Sequence, residues 1–165
     1  MLTKTEFLAL IERELSILKH LAGKLRPQDL AFRFTPGQRS TGELLEYLGT
    51  QYVGGVGHAL DGNWDAWEAW ESQLGPVTPE TFPGILDRQL AEVKARLAGV
   101  SDADFASRAS CDAPGNPMPL GQALLVTIVA WTYAYKMQLF LQAKAAGNAD
   151  LGSSNLWHGA DKSKA

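Results

Sequence analysis

Side chains able to do chemistry are sparse in this chain and far apart. The histidines, His20, His58 and His158, are nowhere paired at the i,i+3 or i,i+4 spacing of a helical metal site, so each reads as a surface or hydrogen-bonded imidazole. A single cysteine, Cys111, excludes an internal disulfide and a thiolate zinc site, and suits a reducing cytoplasm. As a nucleophile it is poorly placed in the sequence: Asp112 beside it would raise the thiol pKa, and no histidine is near. There is no Gly-rich phosphate loop, nucleophile elbow, His-Glu-x-x-His pair or Cys-x-x-Cys motif. No two carboxylates stand out as a general acid and base; charged pairs such as Glu92 and Arg96 mark solvated helix faces.

Two polar and aromatic sets are spaced for one helix face each. Tyr47, Gln51 and His58 follow one another at four and seven residues; Trp131, Tyr135 and Gln138 do so at four and three. Facing each other, they would line an aromatic, hydrogen-bonding cavity with no strong ligand for a metal cation. The plainer alternative is that Trp131 and Tyr135 are core, the phenol satisfied by a neighbour.

The elements that must carry these residues follow from periodicity and punctuation. Phe7, Ile11, Leu15, Leu18, Ala22 and Leu25 form one apolar stripe of a helix over 5–25, with Thr3 and Glu6 at capping-box spacing. Ser40 and Glu43 repeat that signal before a helix over 41–60, where Gly49, Gly54, Gly55 and Gly57 imply close backbone approach or a kink. Trp64, Trp67 and Trp70, three residues apart, would lie roughly on one face of a short segment, either as a lid on the core or as a ligand-stacking surface. Thr78-Pro79-Glu80 opens a third helix that Gly99 would cap, and 101–107 add another turn. Residues 108–119 read as a Pro/Gly loop.

The last helix, over 120–146 with Gly147 as its cap, is apolar almost all round from 123 to 141. Gln122, Thr127 and Thr132 leave it too few apolar residues to span a bilayer, so it is expected to be buried, its surplus face meeting a second subunit or the Trp segment and tail. The chain of 165 residues, with net charge −3 and no basic patch, is sized for one domain and lacks a nucleic-acid footprint. The expectation is an all-α four-helix bundle over 1–147, with a short extra helix between helices two and three. The tail, 148–165, would be partly docked through Leu151, Leu156 and Trp157, and mobile from Asp161 onward.

Several stretches bear a family resemblance: Glu14-Leu15 and Ile17 to Ala22, Pro36 to Arg39 leading into Ser40 to Leu48, and Asn155-Leu156-Trp157 in the tail. Together they resemble the DinB-like (DinB/YfiT-like) family, in a divergent bacterial subgroup. Ala134-Tyr135-Lys136-Met137-Gln138-Leu139 looks like that family's His-His-Arg-Gly-Gln-Leu signature. The resemblance implies a bundle, often dimeric, with a three-histidine site for a divalent metal; some members use low-molecular-weight thiols as transferases. Laid on this chain, the three ligand positions fall at Tyr47, Trp131 and Tyr135, so all three histidines are replaced. The expectation is therefore a cytoplasmic, metal-free binding or interaction module without a cofactor. It would pair as a homodimer through helix four, take a small-molecule ligand, and bind neither nucleic acid nor membrane. The alternative is a thiol-dependent transferase or metalloenzyme with an altered site drawn from Tyr47, Gln51, His58, Tyr135 and Gln138.

Overall fold

The computed structural model describes residues 2–162; Ser163 to Ala165, the end of the tail expected to be mobile, lie outside the described residues. The fold is all-α apart from one small hairpin. Helix α1 (Lys4–Ala22) starts at a complete capping box between Thr3 and Glu6, and buries Phe7, Ile11, Leu15 and Leu18. A 3-10 turn (Pro27–Ala31) follows. It is held by buried Asp29, which accepts from the backbone and guanidinium of Arg26 and from Asn148 of the tail.

The second helix starts at the capping box of Ser40 and Glu43 but is broken into α2 (Thr41–Leu48) and α3 (Gln51–Asp61). The break at Gly49 and Thr50 frees backbone groups, and distant side chains satisfy them. Fully buried Gln89 accepts from the Tyr52 and Val53 amides, at 3.1 and 3.4 Å, and donates to the Leu48 carbonyl at 2.9 Å. The Trp70 indole donates to the Gly49 carbonyl at 2.9 Å. Helix α4 (Asp65–Glu71) packs back on α3. The α3 glycines are where it comes close: a Cβ on Gly54 would stand 2.0 Å from the Trp67 ring, and one on Gly57 2.3 Å from Ala66.

Helix α5 (Phe82–Leu97) begins a turn later than expected, because Thr78 and Thr81 first close a hydroxyl-bonded turn. Gly99 does not cap it; the chain turns through Ala98 in ordinary right-handed geometry. Helix α6 (Asp102–Ser107) carries another capping box, between Ser101 and Asp104.

Residues 108–119 are not a plain loop. Strands β1 (Ala109–Cys111) and β2 (Pro117–Pro119) pair antiparallel, Ser110 opposite Met118, around a turn with Gly115 at φ +92°. Prolines and the brevity of the strands hide this hairpin from pattern reading. It is held in place by the end of α3, whose Ala59 and Leu60 carbonyls accept from Ser110 and Arg108.

The last helix runs unbroken as α7 (Leu120–Leu124), a π-helical turn (Leu125–Val129) and α8 (Ala130–Ala145). Its 26 residues are long and apolar enough to cross a membrane, contrary to the sequence expectation. Here it packs against α1, α2 and α3, and Lys136 within it pairs with Glu14 of α1, both almost fully buried. Helix α9 (Ser153–His158) lies on α1 and α8 with Leu151 and Leu156 buried. Asn155 donates to His20, and Asp161, expected to begin the mobile end, pairs with Lys24 at 2.7 Å.

Candidate functional site

An aromatic cluster gathers where the second and last helices meet beneath α4. The π-helical turn adds a residue to the helix, which rotates everything after it by about 100°. Downstream of it, Tyr135 of α8 meets Tyr47 of α2 with ring centroids 4.6 Å apart. Tyr47 also meets Trp67 of α4 at 5.4 Å, and Trp131 lies nearly parallel to Trp64, at 12° and 6.5 Å. Tyr47, Trp64, Trp67, Glu68, Glu71 and Trp131 line an open groove of about 480 Å³. A second groove continues from it past Tyr47 and Trp67 toward Arg33, Arg39 and Glu46.

The site is stiffened from behind. Trp64 stacks on His58 at 4.1 Å and 9°, Trp67 sits in the notch left by Gly54, and Trp70 anchors α4 to Gly49. Arg39 lays its guanidinium 4.3 Å from the centre of the Tyr47 ring and 5.8 Å from that of Tyr135. Its carbonyl accepts from the fully buried Gln142 of α8 at 2.8 Å.

The residues singled out in the sequence therefore separate into two groups. Tyr47, Trp131 and Tyr135 come together. Gln51 is buried and donates to Thr132 at 3.1 Å, and Thr132 in turn meets the Tyr52 hydroxyl at 2.9 Å. His58 is buried behind Trp64, its Nε2 at 2.9 Å from the Asp112 carbonyl. Gln138 is half-buried a turn beyond Tyr135 and lines neither groove. Trp70 leaves the face it was expected to share with Trp64 and Trp67, since three-residue steps drift by about 60° each on a helix.

Glu68, Glu71 and Arg39 were not singled out from the sequence. A signal existed for the acids: Trp64, Trp67, Glu68 and Glu71 follow the i, i+3, i+4, i+7 rule for one helix face.

A divalent metal does not fit among the side chains at positions 47, 131 and 135. Indole offers only a donor, and a neutral phenol is a poor ligand. Burial, reinforced by Tyr135, pushes the Tyr47 phenol well above its usual pKa despite the opposing charge of Arg39, so the phenolate is disfavoured. Among the described residues no three His, Cys, Asp or Glu side chains are grouped to hold a metal ion.

The hairpin also brings Cys111 to 3.7 Å from the Nε2 of His58, a neighbour that sequence distance conceals. That nitrogen must carry a proton to serve the Asp112 carbonyl, so it is not free to take one from the thiol. The other ring nitrogen, Nδ1, is buried with no hydrogen-bond partner among the described residues. The arrangement gives the thiol an N–H neighbour rather than a free base. No protein-family model matches the chain, and no curated protein does.

Proposed function

We propose that the chain is a DinB-like four-helix bundle without the family's metal site, and that it binds a small organic molecule in the aromatic groove. In this reading α1, the broken pair α2 and α3, α5, and the long α7–α8 helix are the bundle, and α4 is the short extra helix. The observation that carries it is the convergence of rings from positions 47, 131 and 135 with Trp64 and Trp67 around an open groove. Those positions are where the family resemblance would put metal ligands. Aromatic walls with a few charged groups at the rim are the ordinary make-up of a small-molecule site.

The protein works in this reading as a cytoplasmic homodimer through the last helix. Val126, Tyr133 and Leu141 are exposed there, with Ala130 and Ala134 between them, forming an exposed apolar stripe along one face.

The test is purification without chelators or a metal-binding tag, followed by elemental analysis and a ligand-detected NMR fragment screen. Expected are no stoichiometric metal and fragment hits that compete with one another and vanish in Trp131→Ala. A zinc or nickel content near one per chain, lost in His58→Ala, would overturn the reading.

A further inference from the structure

We propose that the groove takes an alkylated ammonium cation, such as a quaternary amine; this rests on the small-molecule reading above and names its ligand class. Four of its lining residues are aromatic, two are the carboxylates Glu68 and Glu71, and none is basic. The rings do not form a flat stack. Trp64 and Trp131 are nearly parallel, Trp67 stands at 76° to Trp64 with centroids 5.9 Å apart, and Tyr47 is tilted 49° from Trp67. Rings turned in several directions line this one opening, and electron-rich ring faces are what attract a quaternary ammonium group.

Charge and hydrogen bonding narrow the class. Glu68 and Glu71 repel an anion at the mouth and attract a cation. Indoles supply no acceptor, so the three N–H groups of a primary ammonium would depend on Glu68, Glu71 and the Tyr47 oxygen alone, whereas a quaternary one has none to satisfy. The same ring cluster already holds a cation on its other flank, where Arg39 covers Tyr47 and Tyr135. The walls are preset by Gly54, His58 and the Trp70 anchor, so little ordering is left to be done on binding.

Intrinsic tryptophan fluorescence, titrated with choline and tetramethylammonium, tests this. The controls are 3,3-dimethyl-1-butanol, the neutral isostere of choline, and benzoate, a planar anion. Expected is saturable binding of the cations at least about tenfold tighter than the isostere. The affinity weakens with salt and drops about fivefold in the Glu68→Gln/Glu71→Gln variant, which leaves the aromatic packing intact. Equal binding of the isostere would overturn the cation class while leaving the groove a small-molecule site. Tighter binding of benzoate, lost in Arg39→Gln, would overturn it in favour of an anion. Saturable binding of none of the four probes to folded protein would overturn the cation class, while the small-molecule reading falls only if the fragment screen is also blank.

Discussion

Three buried charges set the terms at the level of single residues. Lys136 and Glu14 are 1% and 3% exposed and bridge the last helix to α1, with the Tyr133 and Trp157 rings 4.9 and 5.1 Å from the ammonium. Removing one partner strands the other charge in a dry interior. Lys136→Met is therefore expected to cost about 3–5 kcal/mol, and Glu14→Leu/Lys136→Met to recover most of it, as urea denaturation would show. Asp29 is the second case. The Arg26 guanidinium, helped by the Arg26 amide and Asn148, holds its carboxyl down at about 2, against an ordinary 3.8. A depressed carboxylate pKa stabilises the fold above the unfolded value, and that stabilisation fades as pH falls from about 4 through 2. Because the Arg26 side chain is 46% exposed, solvent screening holds the contribution to about 1 kcal/mol. Thermal melts of Asp29→Asn should lie below wild type at pH 7 and converge with it near pH 2.

At the level of elements, α4 owes its seat to glycine. A methyl group at position 54 would stand 2.0 Å from the Trp67 ring and one at 55 2.4 Å from Ile128, whereas one at Gly84 in α5 would meet nothing within 4 Å. Gly54→Ala is expected to cost about 1–3 kcal/mol by overpacking and to red-shift the tryptophan emission as Trp67 is pushed toward water. Gly84→Ala should instead raise the melting point, by up to about 1 kcal/mol of stability, because it only adds helix propensity. Gln89 is the matching test for the helix break. Gln89→Leu leaves the Leu48 carbonyl and two amides unpaired in the core and should cost about 1–3 kcal/mol, read by chemical denaturation.

For the whole molecule, the exposed side of the last helix sets the expected assembly. One side of it packs on α1, α2 and α3, while Val126 and Leu141 remain 40% and 45% exposed on another. Burying such a stripe against its own copy is the symmetric solution, since one patch then serves both subunits. Light scattering is expected to give a dimer, and Val126→Glu/Leu141→Glu a folded monomer by circular dichroism. A monomeric wild type at high concentration would remove the dimer from the proposal. The aromatic groove lies at the junction of the same helix with α2 and α4, so ligand binding and pairing can be measured on one set of variants.

What the sequence determined by itself is local. The capping boxes at Thr3 and Ser40, the apolar stripe of α1, the break-prone glycines and the all-α character were legible, because each depends on residues within about four positions of one another. The meeting of positions 47 and 135 was also legible, from the spacing of polar and aromatic residues on two helix faces. Contacts across the chain decided the rest. Gln89, 37 residues from Tyr52, is what stabilises the helix break. The π-helical turn sets the facing of Trp131 and Tyr135, and the hairpin sets Cys111 against His58. Gln51 and His58 share a stripe with Tyr47 on paper. The break between α2 and α3 and the cover of α4 turn them into the interior, where buried polar groups must find partners, and so away from the groove.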